Sequence, residues 1–210
     1  MADLAALTAA IEAGDRVAAV QVTREAVAEG LDPRTVLAAM TAAMEIIGAK
    51  FQCQEIYVPE MLIAARAMKE ATAVLEPVLV KAGIRPEHTA VIGTIKGDLH
   101  DIGKNLVGMM WKGANIEVID LGTNVTPERF VEAAREHSAR IVGISALLTT
   151  TMVGMKDVVA AVRAADLPDV KVIIGGAPVT QDYAEMIGAD GYAPDAASAV
   201  EAVREALRVG

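Results

Sequence analysis

The sequence predicts an α/β chain in which an N-terminal helical bundle precedes a doubly wound, parallel, five-stranded sheet of the flavodoxin-like or Rossmann-like kind. Three observations carry that expectation. Up to about Ala82, apolar residues recur at helical spacing with few clusters of strand formers. Beyond "KAGIRPEHT", short apolar runs alternate with amphipathic stretches. Those runs are apolar on both faces, as parallel strands covered by helices require. With 210 residues, 53% of them apolar, the chain can bury two modest cores. The expected domains are 1–86, helical, and 87–210, the sheet.

In the first region "AGD" at 13–15 and "EGLDP" at 29–33 punctuate the helices, with Asp32 suited to an N-cap and Pro33 to a first helical turn. Val36, Met40, Met44 and Ile47 form one apolar stripe, and Met61, Ala65, Met68, Thr72 and Leu75 another. A four-helix bundle is the economical reading. From Ala90 the strand candidates are "AVIGTI", "IEVIDLG", "RIVGISALL", "VKVIIGG" and the weaker "DGYAPD". Trp111 is expected to anchor the first crossover helix, "REHSAR" to be a solvated face, and "DAASAVEAVREALRVG" to close the chain as a helix.

A net charge of -9, with Lys and Arg dispersed among the acids, argues against a nucleic-acid surface. No apolar run is long enough to span a membrane, and "MADLAALTAAIEAGD" lacks a signal-peptide pattern, so a soluble, cytoplasmic protein without a membrane partner is expected. The single cysteine, Cys53, excludes an intrachain disulfide and a Cys-based metal centre within this chain.

The stretch richest in chemistry is "GDLHDIGKN", 97–105, at the end of the first strand. In an open parallel sheet, ligands bind outside the carboxyl ends of the strands. His100, one of three histidines, would therefore project from the functional rim. A nucleotide P-loop does not fit, because Gly97 and Gly103 are wrongly spaced and Lys104 is followed by Asn105. The dinucleotide GxGxxG is missing too. A hydrolytic zinc site needs more ligands than His100 has nearby, since His88 and His137 lie before the first strand and late in a helix, where both are expected to be solvated. A lone histidine can still ligate a metal that brings most of its own ligands, and a carboxylate such as Asp98 would fix its tautomer. That logic points to a macrocyclic cofactor.

Asp98-x-His100-x-x-Gly103, Ser145-x-Leu147 and Gly175-Gly176 together resemble the cobalamin-binding signature DxHxxG...SxL...GG. "GAKFQCQEIYVPEMLIAARAM", 48–68, resembles the helical cap module of methionine synthases and of the small corrinoid proteins of multi-component methyltransferase systems, including methanol, methylamine and aryl-ether systems. Phe51 and Val58, with Pro59, Glu60 and Met61, occupy its characteristic positions, Val58 standing where leucine is common.

The resemblance implies a helical cap domain followed by a Rossmann-like cobalamin-binding domain. It implies cobalamin or a related corrinoid, cycling between methylcobalamin and Co(I) cobalamin, bound base-off/His-on with His100 as the axial ligand to cobalt. Asp98 would support His100, and Thr151 would complete the relay. Gly103, Gly175 and Gly176 would admit the detached nucleotide tail, with Ser145 and Thr149 as hydrogen-bonding residues and Leu147 packed on its base. Phe51, Val58 and Met61 would face the cofactor from the cap, although Met40, Met44, Met61 and Met68 at helical spacing are more often core packing than cofactor contact. Asp101, within the signature, more plausibly caps the next helix. The implied function is a methyl carrier between a substrate-specific methyltransferase and an acceptor methyltransferase acting on a pterin or thiol, with a reductive activase as a further partner. Such a carrier is a component with no catalytic residues of its own. A cobalamin-responsive regulator, the small subunit of an adenosylcobalamin mutase and a plain nucleotide-binding module are the alternatives.

Overall fold

The computed structural model describes residues 2–208, which divide into two compact units with a boundary between Pro86 and Glu87; Gly113–Asn115 groups with the first unit. The first unit is helical: α1 (Leu4–Glu12), α2 (Arg16–Ala28), α3 (Pro33–Gln52) and α4 (Val58–Lys81). Each of the first three starts on an aspartate whose carboxylate accepts backbone N–H groups left unpaired by the helix: Asp3 takes Ala5 and Ala6, Asp15 takes Val17 and Ala18, and Asp32 takes Arg34. At α4, Glu60 reaches back to the Tyr57 N–H. Val36, Met40, Met44 and Ile47 of α3 are buried, as are Met61, Ala65, Met68 and Leu75 of α4. The two stripes thus fall on the faces that the helical periodicity assigns.

The second unit runs β1 (His88–Thr94), α5 (Ile102–Gly113), β2 (Ile116–Asp120), α6 (Pro127–Glu136), β3 (Ile141–Ser145), α7 (Thr149–Met152), α8 (Met155–Ala164), β4 (Lys171–Gly175), α9 (Gln181–Ile187), β5 (Gly191–Ala193) and α10 (Ser198–Arg208). All pairings are parallel, in the order β2-β1-β3-β4-β5. This is the flavodoxin-like order, in which the direction of winding reverses between β1 and β3.

Val91, Val142, Ile144, Val172 and Ile174 join one core cluster with Phe130, Ala133 and Ala134 of α6 and Met155, Val158 and Val162 of α8. Trp111 is buried and its indole N–H donates to the Ala199 carbonyl at 3.0 Å, tying α5 to α10. Gly143 makes room for it, because a Cβ there would lie 2.6 Å from the indole ring. Among the described residues no helix is long and apolar enough to cross a membrane.

Two sequence expectations need correction. β1 starts at His88, two residues before Ala90, because His88 and Thr89 extend the ladder onto Ile116 and Glu117 of β2. His88 is accordingly half-buried, with its Nδ1 shielded and without a hydrogen-bond partner, where a solvated side chain was expected. His137 does keep about a third of its side-chain surface, 34%, at the end of α6.

Candidate cofactor site

Where crossovers on neighbouring strands leave towards opposite faces of a parallel sheet, their loops part and open a crevice at the carboxyl rim. Here that point lies between β1 and β3, followed by loops 95–101 and 146–148. One side chain joins the two loops. Asp98 has no exposed surface. Its Oδ1 accepts from His100 Nδ1 at 2.7 Å and from the His100 backbone N–H at 3.1 Å. Its Oδ2 accepts from the Leu147 N–H at 2.8 Å, the Thr151 hydroxyl at 2.8 Å and the Leu148 N–H at 3.4 Å. The Thr151 hydroxyl, also 3.0 Å from the Leu148 carbonyl, has one proton to give, and the carboxylate is the stronger acceptor.

Burial acts to raise the Asp98 pKa, but the Leu147 and His100 backbone N–H groups, then the His100 ring and Thr151, outweigh it and hold the carboxyl well below the usual range. An ionised Asp98 only accepts, so the proton on His100 resides on Nδ1 and the lone pair on Nε2. The ring is 53% exposed. The result is a half-exposed imidazole with a fixed tautomer and one free donor nitrogen, the state in which histidine binds metals.

Among the described residues no three His, Cys, Asp or Glu side chains gather to hold a metal ion, so His100 offers a single ligand. Leu99 and Ile102 beside it are 72% and 73% exposed, and Leu147 and Leu148 beside the Asp98 contacts are 45% and 43% exposed. Exposed apolar side chains beside one donor nitrogen fit a cofactor that is broad, offers apolar surface and supplies the remaining metal ligands itself.

The remaining sequence candidates divide. Leu147 and Thr151 join Asp98 and His100 directly, as above. Ser145 ends β3 in register with Thr94 and Gly175, its carbonyl accepting from the Ile95 N–H at 3.0 Å. Thr149 is the exposed first residue of α7. Around Gly103 the rim is open, with no atom within 4 Å of a Cβ built there. Gly175 and Gly176 lie close to protein backbone: their Cβ atoms would come 2.8 Å from the Ala193 carbonyl oxygen and 1.8 Å from that of Ala146. Gly176 also has φ +128, which side-chain-bearing residues rarely adopt. Asp101 bonds along α5, its carbonyl and carboxylate accepting from the Asn105 backbone and side chain. Phe51 and Val58 are half-buried at the end of α3 and the start of α4, and Met61 is buried, all in the helical unit.

Three supports of the site carry no role in the sequence reading. Buried Thr94 donates its hydroxyl to the His100 carbonyl at 3.0 Å. Lys104, only 2% exposed, places its ammonium 2.6 and 2.5 Å from the two Asp120 carboxylate oxygens and 2.7 Å from Asn105 Oδ1. Asn124, in the loop after β2, bonds to the backbone at Gly97 and Asp98. A signal existed for the first two: Thr94 interrupts an apolar run, and Lys104 shares a helical stripe with Gly108 and Trp111, both buried.

The chain is similar to known proteins of one kind. Two models described as B12 binding domains match residues 4–76 and 88–203. A corrinoid protein of Desulfitobacterium hafniense is 40% identical, with 96% of this chain and 95% of that protein covered. Trimethylamine corrinoid protein 2 of Methanosarcina mazei is 42% identical, with 93% and 92% covered. The crystal structure of the methanol:cobalamin methyltransferase complex MtaBC from Methanosarcina barkeri contains a chain that is 27% identical and superposes with a TM-score of 0.85, covering 99% of this chain and 80% of that one. The chain belongs to the family of B12-binding corrinoid proteins.

Proposed function

We propose that this protein is a corrinoid methyl carrier and that His100 is the lower axial ligand of its cobalt. The observation that carries the proposal is the half-exposed His100 ring, tied through Nδ1 to the buried, ionised Asp98. A bound corrinoid, held by His100, would supply the cobalt centre that carries the methyl group. The protein's part is to place His100 Nε2 and to hold a proton near it. The Asp98 carboxylate holds the ring in place by accepting from Nδ1. Thr151 and the Leu147 N–H keep Asp98 ionised throughout.

Ser145, Leu147, Thr149, Gly103, Gly175 and Gly176 are the proposed surroundings of the detached nucleotide tail, and Asp101 anchors the helix that leaves the histidine loop. The helical unit takes the role of the cap, with Phe51 and Val58 as its cofactor-facing residues, buried Met61 as a packing residue of α4, and residues 82–87, between α4 and β1, as its hinge. In this reading domain 1–86 is the cap and 87–210 the cobalamin-binding domain.

The methyl donor reaches the carrier through a substrate-specific methyltransferase. Support comes from the relative named for trimethylamine and from the methanol:cobalamin methyltransferase complex. An acceptor methyltransferase acting on a pterin or thiol and a reductive activase complete the proposed set, in the cytoplasm. The test is anaerobic incubation of the reduced, cobalamin-loaded protein with methanol, methylamines, aryl methyl ethers or betaines, each with its methyltransferase. Methyl transfer to the bound corrinoid that depends on one donor and its enzyme is expected. Failure to accept a methyl group from every pair would overturn the carrier assignment.

A further inference from the structure

We propose that Asn124 is a positioning residue that sets the backbone of the histidine loop and, through it, the aim of His100. The inference rests on the assignment of His100 as a metal ligand. Asn124 makes two bonds to the loop in opposite senses: its Oδ1 accepts from the Gly97 N–H at 2.8 Å, and its own N–H donates to the Asp98 carbonyl at 3.0 Å.

These bonds hold the peptide units on either side of the Gly97–Asp98 pair. The peptide between them is held by the Asp98 N–H donating to the Ile95 carbonyl at 3.1 Å. All three peptide planes around Asp98 are therefore tied down, two of them by one residue. That matters because Gly97 has φ +85 and would otherwise be among the freest residues of the chain. A rotation there would carry the Asp98 carboxylate away from Leu147, Thr151 and His100 together.

Asn124 itself has φ 56, in the left-handed region that asparagine tolerates better than other side-chain-bearing residues. This conformation lets one residue present both its N–H and its Oδ1 to the same strand of backbone. The loop carrying Asn124 is anchored at its other end, where Asp120 accepts from buried Lys104 and from the Gly122 N–H, and where the Gly122 carbonyl accepts from the Thr94 N–H. The clip is thus fixed to β1 and α5.

Asn124→Asp keeps the acceptor, Asn124→Gly keeps the left-handed backbone without the acceptor, and Asn124→Ala removes the acceptor and strains the backbone. Two readouts separate positioning from general stability. In the apoprotein, amide hydrogen exchange at Gly97 should accelerate about fivefold or more in Asn124→Gly and stay near wild type in Asn124→Asp. In the protein loaded with cob(II)alamin, the ratio of histidine-coordinated to uncoordinated cobalt, read by electron paramagnetic resonance, should fall about fivefold in Asn124→Gly and further in Asn124→Ala, with Asn124→Asp restoring it. Wild-type ratios in a folded Asn124→Gly protein would overturn the inference while leaving His100 as ligand. No histidine nitrogen on cobalt in the wild type would instead overturn the assignment beneath it.

Discussion

The two ends of β1 carry histidines with opposite fates. At the amino end His88 is half-buried, with Nδ1 shielded and unpaired. Past the carboxyl end His100 is half-exposed, with Nδ1 bonded at 2.7 Å to a carboxylate that has no exposed surface. The same imidazole is half-buried packing at one end and a half-exposed ring held by a buried carboxylate at the other. The difference lies in what holds the ring. At the rim, adjacent loops diverge and leave backbone N–H groups free to stabilise a buried carboxylate, whereas His88 is an ordinary member of the strand ladder.

His100→Ala breaks the comparison most strongly. The loaded protein should lose the optical signature of an axial imidazole altogether, while His88→Ala should keep it, as checked on the absorption spectrum of bound hydroxocobalamin. Asp98→Asn comes next. An amide offers one acceptor oxygen where the carboxylate offers two, so one cluster of donors faces an NH2 group, and stability in urea should fall by about 2 kcal/mol. The pH dependence follows the sign of the lowered pKa. Asp98 contributes its full stability above the ordinary carboxylate value of about 4 and loses it as the pH falls through its depressed folded value. Wild type should therefore lose stability more steeply on acidification below about pH 4 than Asp98→Asn, whose side chain does not titrate.

Thr151→Val should cost about 1 kcal/mol, because Asp98 Oδ2 keeps the Leu147 N–H, and Thr151→Ser should recover most of it. His88→Leu is the smallest expected effect. It removes an unpaired shielded nitrogen, so stability should stay within about 0.5 kcal/mol of wild type or rise, as read from urea midpoints.

The sequence makes some of this site legible because part of its logic is local. Asp98 and His100 are two residues apart, and the apolar run before them marks a strand end, so their pairing and placement follow from the primary structure. The helix starts at Asp32 and Pro33 are legible for the same reason. What escapes depends on register between distant segments. Asn124 meets Gly97 only because β2 pairs with β1 and returns its loop beside the strand end, as the bridge between Ile95 and Val125 shows. The stripe that Lys104 shares with Gly108 and Trp111 marks it as inward-facing, but its partner emerges only when the same pairing places Asp120 against it. Gly175 and Gly176 show a further limit: glycine signals a close approach, but the sequence does not say whether ligand or backbone makes it. The structure shows the backbone contacts, with Ala193 and Ala146.

One nitrogen of His100 is the proposed ligand of cobalt. The most direct test is electron paramagnetic resonance of the cob(II)alamin-loaded protein prepared with isotopically labelled histidine. Nitrogen hyperfine splitting should change with the histidine label and vanish in His100→Ala. A splitting that ignores the label, or survives in that variant, would contradict that assignment.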